Sequence, residues 1–314
     1  MQQIPIYLIT GFLESGKTSF LRDVLMGGDF DDGQRGLLIL CEEGEEEYDE
    51  KALAQMNISM ITVDEEEEFN PEFLKTCEKH YRPKRIFIEM NGMWDCKWLF
   101  GSQMPYSMDV AQIITVVDGS TFPVYLNNMR SILSNLFLNT EMVVFNRCSQ
   151  DDPLPAYRRG IKVANQKAEV IFEDEEGEID DIFQDEMPFD LDAPIVEILP
   201  EDYGIWFVDA MDHPETYAGK TLRFKGRVLK PRGMGSKFFV PGRTAMTCCA
   251  DDTTFLGYVC KSEDTPGLRP GQWVEVTAKA AVENRMEYQG EGIVLYAESV
   301  QPCEPLEEEM VYFN

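Results

Sequence analysis

Two glycines, Gly11 and Gly16, bracket four residues and are followed at once by Lys17 and Thr18. The pattern G-x-x-x-x-G-K-T is that of a phosphate loop, and its chemistry explains the spacing. Glycines let the backbone curl until successive amide N–H groups face one anion. A helix beginning at Lys17 adds the positive end of its dipole. The Lys17 ammonium can then reach the outer phosphates, and the Thr18 hydroxyl can ligate Mg²⁺. Glu14, Ser15 and Ser19 complete the stretch expected to face a nucleotide. The plainer alternative is a glycine turn before an ordinary helix. Against it, the apolar run Ile6–Ile9 enters the motif and a helical pattern through Phe20, Leu21, Val24 and Leu25 leaves it, the strand–loop–helix setting the chemistry requires.

Other candidates lie further along. Glu42 and Glu89 follow apolar runs, where a carboxylate can hold Mg²⁺ or order a water at the last phosphate. Glu42 can equally be one member of an acidic loop. Gly92 is placed to give its amide to the last phosphate and to move when that phosphate leaves. Cys248 and Cys249, with Cys260 a strand away, are the sharpest feature of the second half, with Asp251 and Asp252 as added oxygen donors. A transition-metal site there competes with the default, thiols buried as small hydrophobes. Neighbouring residues of a strand point to opposite faces, so Cys248 and Cys249 share one metal only if the strand bulges or ends. The chain has only two histidines, His80 and His213.

The elements that must position these groups are legible as a pattern. Apolar runs at Ile4–Ile9, Leu37–Leu40, Ile58–Val63, Arg85–Ile88, Ala111–Val117, Met142–Phe145 and Ala168–Phe172 alternate with helical stretches near 17–26, 49–56, 71–80, 121–137 and 155–164. Alternating strands and helices predict an α/β domain over 1–172 with a mostly parallel sheet and its ligand at the carboxyl ends of the strands. Residues 173–202 are acidic and predict a linker. From 203 to 302, short strand-like segments between turn residues predict a small all-β barrel, and 303–314 an acidic tail. The 314 residues suit two domains. No apolar run reaches the ~18 residues of a membrane span, and a strand so near the start leaves no room for a signal peptide. The expectation is a cytoplasmic protein whose eight cysteines are thiols or ligands. The 28 Lys and Arg against 57 Asp and Glu give a net charge of −29, which disfavours nucleic acid and anionic lipid as partners. The basic residues Lys225, Arg227, Lys230, Arg232, Lys237 and Arg243 leave one positive face open.

Four segments of the first domain resemble the CobW-type GTPases, P-loop proteins that handle metal cofactors. They are Thr10-Gly11-Phe12-Leu13-Glu14-Ser15-Gly16-Lys17-Thr18, close to TGFLGxGKT; Cys41-Glu42-Glu43-Gly44-Glu45, in place of NEFGE; Ile88-Glu89-Met90-Asn91-Gly92, in place of E-x-x-G; and Thr115-Val116-Val117-Asp118, similar to the VVDA strand end. Two departures stand out. The C-x-C-C metal motif of that family is missing between its second and fourth strands. The guanine-reading N-K-x-D is replaced by Asn146-Arg147-Cys148-Ser149, with Asp151 and Asp152 close by. Residues 203–302 resemble the C-terminal region of YcgQ-type permease subunits, through Pro214–Thr221, Phe224–Val228, Met246–Asp252 and Gly271–Val276, with an OB-like texture.

The resemblance implies a Mg²⁺-dependent GTP-binding protein and slow GTPase in transition-metal homeostasis. Lys17, Glu42 and Glu89 would be its catalytic residues, and Asn146 and Arg147 would lie at the base. It implies Zn²⁺ as the metal handled, with a metal-dependent protein or a membrane permease as partner, and leaves an oligomer open. Two alternatives stay open: a nucleotide-gated adaptor that does not hydrolyse, and an ATPase.

Overall fold

The computed structural model describes residues 3–28, 30, 32–42, 44, 46–149, 151–179, 187–249 and 252–311. The chain divides into two compact units, Met1–Leu154 with Asn165–Asp181, and Pro155–Ala164 with Ile182–Asn314.

In the first unit the elements run β1 (Ile4–Thr10), α1 (Lys17–Met26), β2 (Gly36–Leu40), α2 (Glu50–Gln55), β3 (Ile58–Thr62), α3 (Pro71–Tyr81), β4 (Arg85–Glu89), β5 (Met108–Asp118), α4 (Phe122–Asn128), α5 (Arg130–Phe137), β6 (Met142–Asn146) and β7 (Glu169–Phe172); α6 (Leu154–Ala164), which precedes β7 in the chain, belongs from Pro155 onward to the second unit. The seven strands form one sheet in the order β3-β2-β4-β1-β5-β6-β7. Every pairing is parallel, because each strand is regained by a crossover. Side chains alternate between two cores: Ile6, Leu8, Leu37, Ile39, Ile86 and Ile88 on one face, and Ile9, Leu38 and Phe87 on the other. Burial on both faces is why these strands read as unbroken apolar runs. The register sets Ile9 beside Glu89 and Asp118 beside Asn146, so the carboxyl ends of four adjacent strands meet at one edge of the sheet.

Local chemistry starts two of these helices. Asp49 accepts from the N–H groups of Lys51 (2.9 Å) and Ala52 (3.3 Å), capping α2. Asn70, with Pro71 in the first turn, caps α3 from Glu72 and Phe73, both at 3.1 Å. The single helix expected over 121–137 is two, because the chain leaves helical geometry at Met129.

The second unit holds β8 (Val196–Glu197), α7 (Tyr203–Asp212), α8 (Pro214–Tyr217), β9 (Thr221–Leu229), β10 (Phe238–Cys249), β11 (Asp252–Gly257), β12 (Val259–Lys261), β13 (Trp273–Arg285), β14 (Gly290–Pro302) and β15 (Met310–Val311). Strand β9 pairs with β13 and with β10, β13 with β14, β14 with β12, and β12 with β10. The circuit closes a five-stranded barrel, the OB-like architecture expected. The two segments read as Lys237–Val240 and Thr244–Cys248 are one long strand, β10. Helix α7, within a stretch read as strands and turns, buries Tyr203, Trp206, Phe207 and Val208 in the barrel core. Strands β8 and β15 lie in the stretches read as linker and tail.

Three of the six basic residues that left a positive face open are engaged elsewhere. Arg243 is buried, donating to the carbonyls of Pro200, Glu308 (2.9 Å) and Met310 (3.1 Å). Lys230 donates to Thr265 O at 2.5 Å and Leu268 O at 2.7 Å. Lys237 pairs with Glu263 at 2.7 Å. Among the described residues no helix is long and apolar enough to cross a membrane.

Barrel closure depends on backbones approaching closely. A Cβ at Gly242 would collide with the Leu256 carbonyl oxygen, and one at Gly226 would come within 2.8 Å of the Gly242 amide nitrogen. Gly242→Ala is expected to destabilise the second unit by about 1–3 kcal/mol, as overpacking does, read as a lower urea midpoint at unchanged slope.

Candidate nucleotide site

The loop between β1 and α1 wraps a cavity of about 280 Å³. Its shape depends on glycine at two positions. Gly11 has φ 150° and Gly16 φ 95°. A Cβ at Gly11 would collide with the Val116 carbonyl, and one at Gly16 would come within 2.5 Å of Asn146 Nδ2. Glu14 also turns left-handed, at φ 62°. Helix α1 begins without any side-chain cap, unlike α2 and α3, so its first amides are left for a ligand. Ser15 Oγ and Asn146 Oδ1 are buried without a hydrogen-bond partner. An unmet buried polar group costs about 1–3 kcal/mol; at the mouth of an uncapped helix the Ser15 hydroxyl is a donor that an oxyanion can meet, whereas the Asn146 amide oxygen calls for a donor.

Charge is concentrated here. Lys17 is 3 % exposed; its ammonium donates to Gly11 O at 3.1 Å and Phe12 O at 2.7 Å and is ion-paired with Glu42. Glu89 is buried at the end of β4, beside β1, and accepts from Thr18 Oγ1 at 2.7 Å and Tyr48 Oη at 2.6 Å. Glu42 follows β2, one strand further out, yet its side chain still reaches Lys17. The structure therefore brings Lys17, Thr18, Glu42 and Glu89 together. Gly92 is close as well, but its N–H donates to Gly11 O at 3.1 Å, so its amide is not presented to the cavity. Ser19 Oγ donates to Glu46 at 2.8 Å, and Arg22 also reaches that carboxylate, at 2.9 Å.

On the side of β6, Asn146 Nδ2 donates to Ser15 O at 2.8 Å. Arg147 Nη1 donates to Glu14 O at 3.0 Å and to Asp118 Oδ2 at 2.5 Å. Burial alone would raise the Asp118 carboxyl, but hydrogen bonds from Ser120 and Arg147 outweigh it and hold it below the usual carboxylate range. Ser149 is not on the cavity wall; its N–H donates to Asp152 Oδ2 at 2.7 Å.

Two participants escaped the sequence reading, Tyr48 and Glu46. Glu46 and Tyr48 sit in or beside an acidic run that reads as solvated loop, and nothing in the spacing marks the phenol. Burial, then the Glu89 charge, pushes the Tyr48 phenol well above its ordinary range, so it stays a donor. Tyr48→Phe is expected to cost about 1 kcal/mol, the worth of a hydrogen bond to a charged group less its replacement by water, measured by chemical denaturation.

The donor set around Thr18 is all oxygen, which fits Mg²⁺: Thr18 Oγ1 with the Glu89 and Glu42 carboxylates. A thiolate site is a different matter. Cys260 lies in the barrel core, its thiol pushed up to about 12 by burial. The side chains of Cys248 and Cys249, and all of Asp251, lie outside the described residues. Among the described residues no three His, Cys, Asp or Glu side chains converge as metal ligands.

Over 104 residues the chain is 32% identical to the zinc chaperone CobW of Sinorhizobium sp, a match that takes in 29% of this chain and 28% of that protein. The chain thus spans little more than a quarter of that curated relative's length. Among solved structures it is similar to a Zn(II)-bound triple mutant of the YjiA GTPase, at 18% identity and TM-score 0.45 over 86% of this chain and 90% of that one. It is also similar to Zn(II)-bound YjiA GTPase from E. coli, at 17% identity and TM-score 0.44 over 82% and 89%. Residues 178–313 match the DUF1980 C-terminal domain. Residues 5–172 match the CobW/HypB/UreG nucleotide-binding domain, and the chain belongs to that family.

Proposed function

We propose that the first unit binds Mg²⁺–GTP and hydrolyses it slowly at the terminal phosphate, in the service of transition-metal delivery, with zinc as the cargo. The observation that carries the nucleotide is the buried ammonium of Lys17 beside the unpartnered Ser15 hydroxyl at an uncapped helix start. In this reading Lys17 leaves Glu42 for the outer phosphates, where a fixed cation offsets charge that grows in the transition state. Magnesium, when bound, neutralises the β- and γ-phosphate oxygens. Thr18 and Glu89 would hold it, and Glu42, once released, orients a water. Gly92 gives up Gly11 O to bond the last phosphate and carries the segment after β4 with it. Zinc is favoured by the family and by the name of its curated relative. Without C-x-C-C, the cargo ligands of this chain differ from the family's thiolate set.

Phosphate release from GTP, with Mg²⁺ and with chelator, tests the enzyme. Turnover that needs Mg²⁺ supports it. Tight binding with no turnover would favour the adaptor reading, in which the barrel docks on a permease or another protein. The replacement of the N-K-x-D carboxylate by Ser149 is the observation on that side.

A further inference from the structure

The base end of the cavity departs from the guanine code in a way that names a substrate class; the point rests on the triphosphate reading above. Guanine is set apart from other 6-oxopurines by a carboxylate that accepts from its N1–H and 2-amino groups. Ser149 holds that position here. Asp152 Oδ2 is engaged by Ser149 N–H at 2.7 Å, and Ser149 Oγ accepts from Asp151 N–H at 3.2 Å, so this turn is closed on itself. None of the three lines the cavity. Of the carboxylates that do, Glu42 pairs with Lys17, Glu89 with Thr18 and Tyr48, Glu46 with Ser19 and Arg22, and Asp118 with Ser120 and Arg147. Glu14 stands exposed on the left-handed turn of the loop.

What β6 does deliver to the cavity wall is a donor. Arg147 has φ 53°, and its Nη1 is pinned between Asp118 and Glu14 O. Its side chain is half exposed, and the fork geometry leaves Nη2 and Nε available to a ligand. A guanidinium fork matches the O6 and N7 acceptors of a 6-oxopurine and meets a donor, the 6-amino group, on adenine. Asn146, whose amide is fixed on Ser15 O, keeps its orphaned Oδ1 buried at the same place.

We propose that Arg147 is the specificity-determining residue and reads only the O6/N7 edge. The site therefore takes 6-oxopurine nucleoside triphosphates as a class, guanosine and inosine alike, and rejects adenosine. The difference from a carboxylate reader is the 2-amino group, which inosine lacks and which Ser149, standing in place of the carboxylate, does not claim.

The test is competition by GTP, ITP and ATP against a fluorescent GDP analogue on the full chain with Mg²⁺. GTP and ITP are expected within fivefold of each other, and ATP roughly ten- to a hundredfold weaker, the discrimination of one good bidentate contact. Arg147→Gly, which suits the left-handed backbone, should bring GTP and ITP to the level that ATP shows in the same variant, so that the preference is lost. A preference for GTP over ITP above fivefold overturns the proposal, since a carboxylate must then read the 2-amino edge. So does ATP within fivefold of GTP in the wild type, or a wild-type preference surviving in Arg147→Gly. Should the GDP analogue and all three triphosphates fail to bind, the triphosphate reading falls and takes this one with it. The wild-type panel alone decides the matter if the variant does not fold.

Discussion

Lys17→Ala should lower kcat/KM for GTP hydrolysis by roughly a hundred- to a thousandfold, the usual cost of removing one preorganised group from developing charge. The same change has a structural consequence that a surface lysine would not have. Lys17 and Glu42 are 3% and 9% exposed as side chains, so deleting the cation leaves a carboxylate in a poorly hydrated place. Breaking a buried pair from one side costs about 3–5 kcal/mol, and a clear fall in the denaturation midpoint of the first unit is expected. Adding Glu42→Gln should restore most of that stability and none of the activity. This double variant separates the contact Lys17 makes with Glu42 from the contact with phosphate proposed for it. If Lys17→Ala hydrolyses GTP at the wild-type rate, the cradle is not a catalytic site.

Glu89→Gln is expected to lower hydrolysis by a similar factor, but through the metal. Glu89 ends the strand beside the phosphate loop and is buried between two hydroxyl donors, Thr18 and Tyr48. Gln keeps the shape and can still hydrogen-bond both, because a hydroxyl accepts as readily as it donates. The fold should therefore survive within about 1 kcal/mol. The negative charge that holds a hard cation is gone, so the Mg²⁺ concentration for half-maximal turnover should rise sharply. GTP binding in chelator should be unchanged. Phosphate release titrated against Mg²⁺ checks this, and a variant with wild-type Mg²⁺ dependence would remove Glu89 from the metal.

The first domain was legible because strands buried on both faces are written as apolar runs, and all seven runs became strands of one parallel sheet. The phosphate loop was legible because its chemistry is local: glycines, lysine and threonine act through one continuous turn. Helix α7 was not. Its buried surface goes nearly all round, with Tyr203, Trp206, Phe207 and Val208 enclosed by the barrel, so the one-sided periodicity that marks an amphipathic helix is missing. Arg243 misled for a similar reason. Sequence proximity to other basic residues implied a surface face, whereas its guanidinium serves three carbonyls inside the second unit.

Residue order along the chain was enough to settle an anion cradle on an α/β sheet, since a phosphate loop and its flanking strand and helix are contiguous. Pairings between distant residues needed the folded chain. That Glu42 holds Lys17, that Tyr48 supports Glu89, and that Asp118 locks Arg147 against Glu14 are contacts across 25 to 133 positions. They exist because a parallel sheet gathers the carboxyl ends of strands far apart in sequence onto one edge, and no local pattern records which side chains will meet there.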